Sequence, residues 1–467
     1  MVKNIKIGLE THVQLNTNTK LFCSCSMKNI SEAPENTRCC PICLGMPGSK
    51  PSLNKAVLDL AIKIGLALDC KISPETFFSR KTYLYPDMSK NFQITQYEIP
   101  IAKKGKLEIT DRNGKRKEIN IERINIEEDP AKLHHVDGDI SSAKYTLINY
   151  NRSGIPLCEI VTSPDLSTPK EARIFLKKLS SILEYLKVFI PGELSMKSDV
   201  NVSIEGGERI EVKNVTGIIE VEKVIDCEIF RQGCLLDDKK KIERETRAWL
   251  PESKTIVLLR KKESEEDYGY IFEPDLTKIE VSKEWIQKIQ KTLPELAHQK
   301  IERYQKQYGI SQELAFSMAS DLDIAIFYEK CIIKQDPKFA ATWIDLLKKT
   351  LYYNDLSIKE TKLTTEIFLK LLDLVKSEKV TKSGAEMILR DIIHSPEKFE
   401  DIIKNYSIID NAEQIVSDVI SEESKAVSEY ISGNQKALQF LMGQVIKKSN
   451  RRIDAITAKS MLEKKLK

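Results

Sequence analysis

The 467-residue chain has little glycine and proline, 18 and 17 residues, which excludes collagen-like and low-complexity architectures. It contains no run of about 18 consecutive apolar residues, the length that a membrane-spanning helix requires. Lys3 and Lys6 are followed by charged and polar residues rather than by the apolar core of a signal peptide. A soluble, cytoplasmic protein without a membrane partner is expected. Charge of one sign is also scarce: 73 basic against 69 acidic residues leave +4, so bulk charge does not argue for a nucleic-acid partner. The phosphate loop G-x-x-x-x-G-K-[ST], the dinucleotide fingerprint G-x-G-x-x-G, the zinc-protease H-E-x-x-H and the hydrolase elbow G-x-S-x-G are missing. So are serine- and lysine-based amidase signatures and a G-x-C-x-G glutaminase elbow.

What is present is 41% hydrophobic residues, enough for about two to four domains with real cores. Up to about residue 290 the pattern reads as strands with a few helices, and beyond Lys283 as helix after helix. The first strand alternates cleanly, with Ile5, Ile7, Leu9, Val13 and Leu15 on one face and Glu10, His12 and Gln14 on the other. Thr168-Pro169-Lys170-Glu171 opens a helix over about 168–187 with a threonine cap, a proline at the first turn and a capping-box glutamate. Its expected core stripe is Ile174, Leu179, Ile182, Leu183 and Leu186. A hairpin over 199–215 is expected to pair Val202 with Val212 and Ile204 with Ile210, leaving Asp199, Asn201, Ser203, Glu211 and Lys213 on one polar face. His134 and His135 read as loop residues. The fold class is α+β: a mixed-sheet domain over 1–290, an all-α domain over 291–406 and a small helical tail over 407–467.

Cys23-x-Cys25 and, fourteen residues later, Cys40-x-x-Cys43 have the spacing of a four-thiolate zinc knuckle, shaped by Pro41 and Gly45; the neighbouring Cys39 could replace Cys40. Four protein ligands close the coordination sphere, so such an ion is structural. Acidic oxygens concentrate elsewhere: Glu10 with His12, Glu127-Glu128-Asp129 after an isoleucine-rich strand, and Glu159 inside an apolar run. A carboxylate in that setting needs a cation, and carboxylates select hard ions such as magnesium or manganese. From Lys436 onward nine basic residues face two acidic ones, +7 in all, so the preceding 435 residues sum to −3. Lys436, Lys447, Lys448, Arg451 and Arg452 are candidates for phosphate contacts with a nucleic acid.

Nine colinear motifs carry a family resemblance. They include Gly8-Leu-Glu-Thr-His-Val-Gln-Leu15, Cys40-Pro-Ile-Cys-Leu-Gly-Met-Pro-Gly48, Tyr83-Leu-Tyr-Pro-Asp87, Asn151-Arg-Ser-Gly-Ile-Pro-Leu-Cys-Glu159, Asp199-Val-Asn-Val-Ser203 and Phe272-Glu-Pro-Asp-Leu276. Together they closely resemble the B-subunit family of the tRNA-dependent Asp/Glu amidotransferases. Lys436 to Val445 resembles that family's tRNA-binding tail. The run from Asp275 to Trp285 has no large insertion, unlike the archaeal paralogue specific for Glu-tRNA.

The resemblance implies a cradle-shaped kinase domain, a helical domain and a YqeY-like tail. It implies ATP-dependent phosphorylation of the carboxylate of Glu on tRNA(Gln) or Asp on tRNA(Asn). The amidase (A) and small (C) subunits of the amidotransferase are the implied protein partners. It assigns Glu10, His12, Glu128 and Glu159 to catalysis and magnesium, with Glu127 flanking, and Asp199, Asn201 and Lys213 to the nucleotide or substrate. ATP, magnesium and zinc are the implied cofactors. The alternative from another class is a non-catalytic, zinc-containing tRNA-binding scaffold; a two-metal nuclease or phosphohydrolase is a third reading.

Overall fold

The computed structural model describes residues 4–111, 113–137, 143–261, 269–406 and 412–466. The chain divides into two compact units, Met1–Leu296 and Ala297–Lys467. The first is organised by a nine-stranded sheet, whose strands in chain order are β1 (Ile5–Gln14), β2 (Lys71–Ile72), β3 (Ala102–Thr110), β4 (Arg116–Glu128), β5 (Pro156–Thr162), β6 (Met196–Ile204), β7 (Ile210–Thr216), β8 (Glu245–Leu250) and β9 (Thr255–Lys261). Their spatial order is β9-β8-β7-β6-β1-β5-β4-β3-β2. The first strand is therefore the centre of the sheet. Every pair is antiparallel except β7 with β8, where the chain crosses over through α3 (Ile218–Asp237). A parallel neighbour requires such a crossover, which makes the sheet mixed.

The alternation expected for β1 is present: Ile7, Leu9 and Val13 are fully buried, as is Leu15 just beyond the strand. Thr11 shares the buried face and meets Ser198, with the two hydroxyl oxygens 3.2 Å apart. Helix α1 (Lys55–Ala67) packs on β2, β3 and β4, while α2 (Pro169–Tyr185) and α3 pack together, α3 also on β6 and β7. The Thr168 hydroxyl accepts the Glu171 amide and Pro169 occupies the first turn. The Glu171 carboxylate reaches back to the amide of Ser167, one residue before the cap. The buried stripe of α2 includes Phe175 and Leu176, while Ile174 is only half-buried, because the helix turns those two residues toward the sheet side.

The β6–β7 hairpin corrects the expected register. Val200 pairs with Val212 and Val202 with Ile210, two residues from the expectation, and Glu205–Arg209 form the connection. Ile242 packs against Gly207 at the tip, and a bulge lies between Ser198 and Val200 toward the other end of the hairpin. A shift of two keeps every side chain on its face, so Asp199, Asn201, Glu211 and Lys213 still share one surface. His134 and His135 lie on a strand, Lys132–Val136, paired with Tyr145–Asn149, rather than in a loop.

The second unit is helical. One core gathers Tyr304, Tyr328, Trp343, Leu347, Phe368 and Ile388. A separate, smaller core joins Val416, Val419, Leu441, Val445 and Leu462. The expected boundary at 406/407 lies at the edge of residues 407–411, which are outside those described. Within this unit the Thr381 hydroxyl donates to the carbonyl of Arg451 over 2.6 Å, and Arg452 Nε donates to the Asn405 carbonyl over 2.6 Å. No described helix is long and apolar enough to cross a membrane.

Candidate active site and metal knuckle

After β1 the chain runs through Lys20 and Leu21 into Cys23 and Cys25, then returns at Cys40 to Cys43. The four sulphurs lie within 4.8 Å of one another; a tetrahedral zinc with bonds of roughly 2.3 Å separates its sulphurs by about 3.8 Å. The second half is a tight turn in which Leu44 N donates to Cys40 O and Met46 N to Pro41 O. Gly45 adopts φ +67 where a Cβ would sit 2.3 Å from Lys90 Cγ, so only glycine fits. Cys39 lies outside the cluster and donates to the Asn36 carbonyl at 3.1 Å, which gives the fourth position to Cys40. The Cys43 thiol is lowered to about 5, first by its hydrogen bond with Cys23, then by the Cys40 amide and the Lys20 ammonium, against burial. Cys23 is pushed up by the same hydrogen bond and by burial. Four clustered soft donors, one already thiolate-like, fit a thiophilic metal ion.

The polar face of the sheet is built by register. Antiparallel pairing sets His12 opposite Glu159 and Glu159 opposite Asn125; one row away Glu10 lies opposite Asp199, and one pair further along Asn201 lies opposite Glu211. Two groups result. His12 Nε2 lies 3.3 Å from Glu127 and 3.5 Å from Glu159. Burial works against the imidazolium, but the hydrogen bond with Glu159 and the charges of Glu127 and Glu159 outweigh it and lift His12 to about 10. Glu159 is opposed by burial yet drawn down to about 2 by His12, whereas burial carries Glu127 up to about 7.

In the second group, one carboxylate oxygen from each of Glu10, Asp199 and Glu211 lies within 4.8 Å of the other two. Burial, then the charges of Glu159, Asp199 and Glu211, raise Glu10 to about 7. Lys213 stands 3.4 Å from Glu211 and 3.9 Å from Asp199. Asn201 Nδ2 donates to Glu10 over 3.0 Å, and Asn125 Nδ2 to Glu159 over 2.6 Å. The Oδ1 atoms of both asparagines are buried without a hydrogen-bond partner. Crowded carboxylates beside unsatisfied carbonyl oxygens are the donor set of a hard divalent cation.

The chain matches two family profiles, the GatB/GatE catalytic domain over residues 5–287 and the GatB domain over 326–466. It belongs to the GatB family. Several curated relatives are named as the B subunit of an aspartyl/glutamyl-tRNA(Asn/Gln) amidotransferase. That of Methanospirillum hungatei is 44% identical over 476 residues, 98% of each chain. That of Methanococcoides burtonii is 42% identical over 471 residues, 99% of this chain and 98% of its own. That of Sulfolobus acidocaldarius is 42% identical over 475 residues, 99% of each. The chain is thus a GatB subunit of a tRNA-dependent amidotransferase, and a B subunit implies partner subunits.

Within this GatB-family chain the sequence-assigned residues separate. Glu10, His12, Glu127, Glu159, Asp199, Asn201 and Lys213 share the polar face. Glu128, one residue on from Glu127, projects to the other side of β4, where its buried carboxylate binds the Lys90 ammonium and accepts the Ile94 amide at 2.9 Å. The structure does not bring it to His12. Glu211 was placed on the polar face by the strand pattern but not among the cation-binding residues; its proximity to Glu10 depends on β1 and β7 both flanking β6, which no local pattern encodes. Asn125 and Lys90 carried no signal in the sequence. In the tail, Lys436 and Lys447 are exposed. Lys448 pairs with Glu422, while Arg451 and Arg452 contact Ser383 and Asn405 of the same unit.

Proposed function

We propose that this chain is the kinase subunit of its amidotransferase: with ATP it phosphorylates the side-chain carboxylate of Glu on tRNA(Gln) or Asp on tRNA(Asn), and ammonia then forms Gln-tRNA(Gln) or Asn-tRNA(Asn). The observation that carries this reading is the convergence of Glu10, His12, Glu127, Glu159, Asp199, Glu211 and Lys213 on one sheet face. A carboxylate is a resonance-stabilised anion and a poor acyl donor. Transfer of the γ-phosphoryl group to its oxygen, with ADP leaving, creates a leaving group; ammonia attacks the acyl carbon and phosphate departs. Glu10, Asp199, Glu211 and the Asn201 carbonyl oxygen would hold magnesium, which when bound screens phosphate charge so that the anionic substrate can approach. His12 holds Glu127 and Glu159 in place. Lys213 and Asn201 face the nucleotide, Lys213 as a point charge for phosphate oxygens. Positioning and electrostatics suffice, so no side-chain nucleophile is required.

The knuckle Cys23, Cys25, Cys40 and Cys43 holds structural zinc in this reading, and residues 1–290 form the kinase domain. Residues 291–406 form the helical domain and 407–467 bind tRNA, chiefly through Lys436, Lys447 and Lys448. The chain works in the cytoplasm with two partners, an amidase that releases ammonia from glutamine and a small protein that joins the two larger chains. Phosphate release by the reconstituted complex tests the reading. It should require ATP, magnesium and Glu-tRNA(Gln) or Asp-tRNA(Asn), and should yield amidated, uncleaved tRNA. No phosphate release with either aminoacylated tRNA refutes it in favour of a scaffold, and tRNA cleavage in magnesium refutes it in favour of a nuclease.

A further inference from the structure

Lys20 is fully buried, with 0% of its surface exposed. A lysine ammonium taken wholly out of water gives up its hydration, a loss that must be answered by an anion. Among the described residues Lys20 makes no ion pair with a carboxylate. Its Nζ instead donates to Cys43 Sγ at 3.7 Å and to the backbone carbonyl of Tyr150 at 3.3 Å. Gly154, at φ +84, closes over the same spot: a Cβ there would lie 3.6 Å from Lys20 Cδ, 3.4 Å from Cys43 Cβ and 4.0 Å from Glu128 Oε2, a carboxylate that is itself paired with Lys90. A divalent ion bound by four thiolates carries a net charge of −2. The buried cation and the anionic centre therefore answer the same electrostatic need.

We propose that Lys20 is a built-in counter-ion of the metal-thiolate knuckle, and that through it the metal secures the turn from Tyr150 to Gly154 that leads into β5. The proposal rests on the reading of the four cysteines as a metal site. The turn is bound to the knuckle at several further points: Leu21 N donates to Gly154 O at 3.0 Å, and the hydroxyls of Ser153 and Ser89 both donate to Cys43 O at 2.9 Å. Ser89 precedes Lys90, the partner of Glu128, and β5 carries Glu159 five residues after Gly154. Lys20 is in this account a positioning residue. It touches neither substrate nor the polar face, and its charge acts on the metal centre and on the Tyr150 carbonyl.

The test compares full-length chain carrying Lys20 with Lys20→Met, which keeps the stem and loses the charge, and with Lys20→Gln, which keeps a donor for Tyr150 O but no charge. Zinc transfer to a competing chelator should occur at about 10- to 100-fold lower chelator activity in both variants, the usual penalty for removing a group that supports a metal's ligands. Metal-free Lys20→Met should melt close to the metal-free wild type, because without the metal Lys20 answers only the single Cys43 thiolate, while its zinc-dependent gain in melting temperature shrinks. A packing role would lower both melting temperatures together and leave zinc retention unchanged; that result overturns the proposal. So does wild-type zinc retention in Lys20→Gln, which would credit the hydrogen bond and not the charge. Wild-type chain that purifies without zinc and takes none up overturns the metal reading itself, a result distinguishable from equal retention among the three proteins.

Discussion

Glu10→Gln should make the metal-free protein more stable and less active at once. Glu10 is buried beside Asp199 and Glu211, and its carboxyl is raised from 4.5 to about 7. That shift corresponds to roughly 3 kcal/mol at about 1.4 kcal/mol per pH unit, an upper value because the neighbouring carboxylates share the repulsion. Below pH 4.5 the group is neutral in the folded and unfolded chains and costs nothing. As pH rises toward 7 the unfolded chain ionises first, so the stability associated with Glu10 is lost across that window. Glutamine removes the charge while its amide oxygen still accepts from Asn201. In chelator at pH 8 the melting temperature of the variant should exceed the wild type's by roughly 2–6 °C, taking about 2 °C per kcal/mol for a unit of this size. At pH 4.5 the two should coincide. Magnesium should raise the wild type's melting temperature at pH 8 more than the variant's, because the ion offsets the repulsion that the variant lacks. Differential scanning calorimetry at the two pH values, with and without magnesium, measures all four quantities. A variant that melts with or below the wild type in chelator at pH 8 refutes the electrostatic account of this group.

Glu128→Ala should cost about 3–5 kcal/mol, because it strands the Lys90 ammonium in a buried site; Lys90→Met/Glu128→Leu should recover much of that stability in denaturant titrations, and no recovery would place Glu128 in another role. Cys40→Ser should lose the zinc signal in elemental analysis and lower stability, whereas Cys39→Ser should keep both, since only Cys40 lies within the four-sulphur cluster. Lys447→Ala should weaken tRNA binding and flatten its salt dependence by about one phosphate contact. Arg452→Ala should instead lower the stability of the helical unit, through loss of its hydrogen bond to Asn405; the reverse pattern in binding and melting experiments would exchange their roles.

Several elements were legible because local backbone geometry determines them. The period-two pattern of β1 identified its buried face, Thr168-Pro169 and Glu171 marked the start of α2, and the cysteine spacing brought four thiols together. Each follows from side-chain direction along one strand, from unsatisfied amides at a helix end, or from the reach of a short turn. Even the two-residue misplacement of the β6–β7 register preserved the polar face, since strand alternation has a period of two.

What tertiary structure alone decided is who meets whom across the sheet. The order β7-β6-β1-β5-β4 sets Glu211 near Glu10 and puts His12 between Glu127 and Glu159, while the alternation of β4 sends Glu128 to Lys90 instead. The same holds for Lys20, which carries no signal in the sequence and in the fold has no surface at all, and for Arg451 and Arg452, which the charge pattern offers to tRNA and the packing turns toward Ser383 and Asn405 respectively. A charge in the sequence has a sign but no environment. Burial and long-range pairing supply the environment, and they decide whether that charge binds a ligand, holds a loop or offsets another charge.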